Sequence, residues 1–188
     1  METNNSRRNF IKKACSAGAC FCGFGSLLSG KENRPADSLD LRQENLYQTW
    51  ITEVLENLDT QVDKETAKNI IRTASKAHYE QLNMDILLIP YVGKLKKFIN
   101  FIEKEWDWKI NYDEKSQILV ADENKPVCVC PLVSAKREKY PALCFCSEGF
   151  AELMFSKICE APVEVKVISS IHRGDDKCIY HIKLDNKQ

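Results

Sequence analysis

Apolar residues recur every three or four positions through the first half of this chain and every second position through parts of the second half. That change of period separates a helical region from a sheet region. Leu46, Tyr47, Trp50, Ile51, Val54, Leu55 and Leu58 form one stripe, with Glu53, Glu56 and Asn57 between them, and predict a helix over about residues 40–59. A second helix is predicted from Asp63, an N-cap with Glu65 and Thr66 in the first turn; it would bury Ala67, Ile70, Ile71, Ala74 and Ala77. His78 falls at its C-terminal end, where a histidine commonly caps carbonyls or faces the helix dipole. The run Ile86-Leu87-Leu88-Ile89 before Pro90 reads as buried but is too short to type by period. A third helix, over about residues 93–106, presents Leu95, Phe98, Ile99, Ile102 and Trp106 to the core and leaves Lys94, Lys96, Lys97 and Lys104 in water.

After Trp108 the period drops to two. Lys109–Tyr112 and Gln117–Ala121 read as short strands around the turn Asp113-Glu114-Lys115-Ser116, and Val127-Cys128-Val129-Cys130 reads as the end of a further strand. On such a strand Cys128 and Cys130 would share a face. Pro131 to Pro141 is loop-like and carries Lys136, Arg137 and Lys139. Cys144-Phe145-Cys146-Ser147-Glu148-Gly149 then leads into an amphipathic helix with Phe150, Leu153, Met154, Phe155 and Ile158, so Cys144 and Cys146 lie near a helix N-terminus, whose partial positive charge favours a thiolate. Val163, Val165 and Val167 alternate with charged residues, a turn follows at His172–Lys177, and Cys178–Leu184 completes a β-hairpin. The expected fold is α+β: N-terminal helices packed on an antiparallel sheet, with a late helix followed by a C-terminal β-hairpin.

Composition narrows the function. The chain of 188 residues is 44% hydrophobic and 29% charged, with 27 basic and 27 acidic residues, which argues against a nucleic-acid partner. Its beginning changes the picture more. Ser6-Arg7-Arg8-Asn9-Phe10-Ile11-Lys12-Lys13 precedes a mildly apolar run from Ala14 to Leu28, a pattern that resembles a twin-arginine export signal. The run is shorter than the roughly 20 residues a membrane span needs, so no transmembrane segment is expected. Residues 1–30 are thus read as a signal segment recognised by the twin-arginine export machinery, 31–38 as a polar linker with Pro35, and 39–188 as a single domain. The expected location is periplasmic or extracytoplasmic. An uncleaved signal or a lipid on Cys20, in Ala17-Gly18-Ala19-Cys20, would tether the protein to the membrane.

Nine cysteines are more than a plain enzyme needs: Cys15, Cys20 and Cys22 lie in the signal segment and six follow Pro126. Cys128, Cys130, Cys144, Cys146 and Cys178 suit a soft metal, disulfides or a thiolate nucleophile, and equally suit small buried side chains. Export after folding would allow a metal to be loaded while the thiols are reduced, before a compartment where disulfides persist. Cys159, after Ile158, reads as packing at a helix end. His172, placed in the turn, is expected to be open to solvent.

The ending Cys144-x-Cys146, helix, Ala161-Pro162-Val163 and Ser170-Ile171-x-x-Gly174-Asp175-x-x-Cys178-x-Tyr180-x-Ile182 resembles the L-2-amino-thiazoline-4-carboxylic acid hydrolase-like family, and more distantly the 4-vinyl reductase-type ligand-binding domain. The first resemblance implies a hydrolase that opens a C=N ring, with Cys146 or a metal-bound water attacking and His172 or Asp175 moving protons. The second implies zinc held by cysteines around the hairpin, with Cys178 in the position of the last ligand. Here Ser170 stands where those domains carry another cysteine, and Val167 where they carry an acidic residue. Cys128, Cys130, Cys144 and Cys146 would then have to complete the site, with Glu148 as a substitute acid. The leading expectation is therefore an exported small-molecule-binding domain with a cysteine-lined metal site, for which that resemblance implies zinc. A thiazoline-type hydrolase and a disulfide-stabilised domain without chemistry are the alternatives.

Overall fold

The computed structural model describes residues 38–130, 132 and 139–184, with side chains from residue 46 onward. Arg7, Arg8, Cys15, Cys20, Cys22, Lys136 and Arg137 lie outside the described residues. The fold is α+β. In order come α1 (Ser38–Gln61), α2 (Lys64–Gln81), the short α3 (Met84–Leu88) running into a 3-10 turn (Ile89–Tyr91), and α4 (Leu95–Trp106). They are followed by β1 (Lys109–Asp113), β2 (Ile118–Asp122), a 3-10 turn (Pro141–Leu143), α5 (Cys144–Cys159), β3 (Val163–Ser169), a 3-10 turn (Ile171–Arg173) and β4 (Ile179–Leu184).

The strands form one antiparallel sheet in the order β1-β2-β4-β3. Alternation buries Val163, Val165, Val167, Leu119, Ala121, Tyr180, Ile182 and Leu184 on one face, which packs with α4 and α5. Each valine, leucine or isoleucine buried there contributes about 1.5–3 kcal/mol. Asp63 caps α2 as expected, accepting from the Thr66 N–H at 3.0 Å. The late helix α5 is the hub. It packs most extensively with α2 on one side and with β3 on another. Consequently it is buried on nearly every face, from Cys144, Phe145 and Cys146 through Phe150, Ala151, Met154 and Phe155 to Ile158, rather than along a single stripe.

Several expectations are corrected. α2 buries Ala67, Ile71, Ser75 and Tyr79, a face rotated away from Ile70, Ala74 and Ala77, because α5 comes close enough to α2 to require small or thin groups at the crossing. Within the 86–89 run only Leu88 is fully buried, while Ile86 and Ile89 are exposed. Val127–Cys130 forms no strand: β2 ends at Asp122, where it pairs with Ile179, and the chain leaves the sheet. Cys159 packs at the edge of the main core, as expected.

Candidate functional site

Four element ends meet at one end of the sheet, where the central strand β2 stops and its neighbour β4 begins. The last turn of α2 brings His78, the last residue of α4 is Trp106, the segment after β2 carries Glu123, Cys128 and Cys130, and the first turn of α5 carries Cys144, Cys146 and Ser147. The hairpin adds Ser170, His172, Cys178 and Tyr180. Together these residues line a cavity of ≈ 50 Å³. A water needs about 10–15 Å³ by this measure, so the space accepts a guest of about three to five waters. Its apolar wall is Trp108 stacked on Tyr180 at 5.6 Å between ring centres, with Trp106 set edge-on to Trp108 at 5.6 Å.

All five cysteines expected at a site, Cys128, Cys130, Cys144, Cys146 and Cys178, line this cavity, and so does His172. Asp175 does not. Its carboxylate accepts from the Ser170 N–H at 2.7 Å, while Gly174 at φ 101° takes the left-handed conformation that closes the turn. Glu148 also points elsewhere: it accepts from Arg72 at 2.9 Å and from the Val167 N–H at 3.0 Å, with Arg173 at 3.9 Å, and so ties α5 to α2, β3 and the hairpin. Ser170 has its hydroxyl 2.7 Å from the Cys144 sulfur.

Burial governs the electrostatics. It pushes the Cys146 and Cys128 thiols up to about 11, with Cys144 adding to both, and pushes Cys144 itself up despite its hydroxyl partner. Cys178 is pushed up to about 12, first by burial and then by Glu123. The thiolate expected at the start of α5 is thus corrected to a neutral thiol, because loss of water outweighs the helix dipole there. The upstream 3-10 turn also moves the dipole's open end away: the Cys144 N–H bonds back to Ala142 and Pro141, and Asp59 of α1 takes the Ala142 N–H at 3.0 Å.

His172 is buried, not open to solvent, and its Nδ1 accepts from the Tyr140 N–H at 3.4 Å. The turn folds inward beneath Tyr140. His78, read from the sequence as a helix-end cap, instead faces the cavity, with Nδ1 3.9 Å from the Cys146 sulfur and its ring 4.7 Å from that of Phe150. Burial holds its pKa below the usual histidine value. Glu123 was not foreseen at all. Burial raises its pKa and it accepts from the Tyr180 hydroxyl, whose own pKa is driven well up by burial and by that carboxyl. Its only signal was an acidic residue immediately beyond a buried strand. Among the described residues, no group of three or more histidine, cysteine, aspartate or glutamate side chains is arranged to hold a metal ion. Among them too, no helix is long and apolar enough to cross a membrane.

No curated protein matches the chain. Among solved structures, it is similar to a trafficking protein particle complex subunit 3 from Naegleria fowleri covalently bound to palmitic acid, at 13% identity and a TM-score of 0.55, over 78% of this chain and 97% of that one. At that identity the likeness concerns the fold. A family model matches residues 36–188, from just before α1 to the end of the chain, and the protein accordingly belongs to a family of unknown function, DUF6144.

Proposed function

We propose that this protein is an exported small-molecule-binding domain whose binding site is the cysteine-lined cavity at the start of α5. The observation that carries the reading is the convergence of five cysteines, two histidines and four large aromatic rings from five separate parts of the fold on one small space. Such a concave, mostly apolar site with a few directed polar groups is the usual form of a ligand pocket. The covalent palmitic acid of the fold neighbour supports an apolar guest on this architecture. A chain of that length far exceeds ≈ 50 Å³, so the guest here is much shorter.

The test is thermal stabilisation of the full chain by a panel of small apolar alcohols, ketones and enones. A ligand at one hundred times its Kd stabilises by about 2.7 kcal/mol, a rise in Tm of about 5–10 °C for a chain of this size. Cys178→Phe, which fills the cavity, should abolish the shift. No stabilisation by any member of the panel would sink the reading.

Zinc at the same site is a second reading, supported by the soft sulfur donors. As placed they do not form a ligand set, so the segment bearing Cys128 and Cys130 would have to close on Cys144 and Cys178. Metal analysis of protein purified from the cytoplasm without chelator decides it: near-stoichiometric zinc supports the ion, and none removes it. The hydrolase reading draws on Cys146 facing an imidazole, with turnover of a thiazoline carboxylate as its assay. Export rests on Arg7 and Arg8. Replacing both by lysine should leave folded protein in the cytoplasm, and undiminished export would overturn it.

A further inference from the structure

One pair on the cavity wall makes the proposed binding more specific. Cys146 lies in the first turn of α5 and His78 in the last turn of α2, and the packing of the two helices sets the Cys146 sulfur 3.9 Å from Nδ1 of the imidazole. Phe150, one turn further along α5, packs on the ring and fixes its direction. The other polar groups here are engaged differently. Cys144 faces the Ser170 hydroxyl, and Nδ1 of His172 holds the Tyr140 N–H. A nucleophile and a base within reach of one another beside a cavity are the minimum for covalent chemistry, and the spacing in a resting site is commonly looser than in the reacting one.

We propose that Cys146 and His78 form a thiol–imidazole pair that reversibly captures small α,β-unsaturated carbonyl compounds as thioethers. The inference rests on the small-molecule reading and names its chemistry. The Cys146 sulfur forms a bond to the β-carbon while its proton passes to Nδ1 of His78. The C=C electron pair moves toward the carbonyl oxygen as an enolate, and the imidazolium returns the proton to the α-carbon. Nothing is oxidised or reduced and nothing leaves, and the reverse sequence releases the guest.

Size favours this class. Addition needs no second reactant beside the guest, whereas acyl transfer must also admit a water or other acceptor to release the acyl group, so a small cavity suits addition better. With the Cys146 thiol pushed up and the imidazole pushed down by burial, the resting pair is neutral. It is therefore activated only when a guest occupies the cavity and the proton passes to the imidazole, and the thiolate so formed is strongly nucleophilic, since thiolate nucleophilicity rises with thiol pKa.

The experiment treats the full chain with one equivalent of methyl vinyl ketone and maps adducts over all nine cysteines by mass spectrometry. Cys146 should carry the first adduct, and His78→Gln should slow that labelling by about a hundredfold, within the range for general-base assistance. First labelling elsewhere, or a His78→Gln variant that reacts at the wild-type rate, overturns the proposal. Butanone, the saturated analogue, separates capture from binding. If it raises the Tm but methyl vinyl ketone does not label Cys146, capture fails and the binding reading stands; if Cys146 is not labelled and neither butanone nor any other member of the panel raises the Tm, both fail. Should His78→Gln not fold, Cys146→Ser serves: the chain should take up its first equivalent far more slowly and keep the butanone shift, and uptake at the wild-type rate overturns capture.

Discussion

Gly149 shows how a single atom positions the site. A Cβ built there would lie 2.3 Å from the Ser75 hydroxyl and 2.6 Å from the Arg72 carbonyl, and the second contact is backbone that cannot swing away. On helix propensity alone, Gly149→Ala would gain about 1 kcal/mol. Overpacking of this kind costs about 1–3 kcal/mol, so the clash should win and the variant should be less stable in a urea titration. Ser75→Gly in the same chain should recover only part of the loss, because Arg72 remains. His78 gives a pH dependence of definite sign. Its pKa is lowered in the fold from the ordinary 6.5, so below that pH the unfolded chain binds a proton that the folded one resists. The stability present above 6.5 is lost as pH falls through the folded pKa, and His78→Gln should flatten that limb of the profile. Glu123 acts in the opposite sense. Its raised pKa favours the fold at low pH and withdraws that contribution as pH rises above 4.5 toward the folded value. A wild-type profile that does not fall below 6.5 while the Glu123→Gln profile also stays level would exclude the role given to His78.

At the scale of elements, the buried Glu148 does for α5 what caps do for a helix end. One carboxylate receives Arg72 from α2, the Val167 N–H from β3 and Arg173 from the hairpin, while Arg173 also lies over the Phe145 ring at 5.3 Å. Removing one partner of a buried pair leaves the others uncompensated. Glu148→Ala should therefore cost about 3–5 kcal/mol, and Glu148→Gln, which still accepts from Val167, clearly less. Equal losses would mean the charge is immaterial. This central position also explains which elements were legible in the sequence. α4 and the strands each turn one face to the core and the other to solvent, so their periods of about 3.6 and 2 could be read, and Asp63 marked the start of α2; the stripe of α1 marked its helix, although Leu46, Tyr47 and Trp50 on it are exposed. α5 is covered by α2 and the sheet together, so its sequence carries no single stripe. The alternation in Val127-Cys128-Val129-Cys130 imitates a strand, but a strand also needs a neighbour to pair with, and that information lies elsewhere in the chain. The convergence of the cysteines could be anticipated from their positions at element ends. The inward fold of His172 and the cavity-facing ring of His78 could not, since both depend on what packs over a turn or a helix end.

Across the whole molecule, burial is uneven, and the site lies where its two apolar clusters adjoin. The larger cluster joins the sheet to α3, α4 and α5; the smaller gathers Leu55 of α1, Ile71 of α2, and Tyr140, Leu143, Phe145 and Cys146 around the start of α5. Among its described side chains, α1 takes part through Ile51, Leu55 and Leu58 and through Asp59, whose carboxylate caps the turn leading into α5. Leu46 and Trp50, nearer its beginning, are both 64% exposed. Opening energies follow buried contacts, so amide hydrogen exchange should be slowest in α5 and β4 and fastest in α1 near Leu46. Leu55→Ala should cost about 2–5 kcal/mol, as for other fully buried leucines. Its effect should also be directional. Because Leu55 packs in the cluster that contains Leu143 and Cys146, faster exchange should extend from α1 into the first turn of α5, and stabilisation by a bound small molecule should weaken, while β1 and β2 keep their protection. Uniform acceleration across the sheet would show instead that the two clusters open as one unit, and that the cavity wall does not depend on α1 in particular.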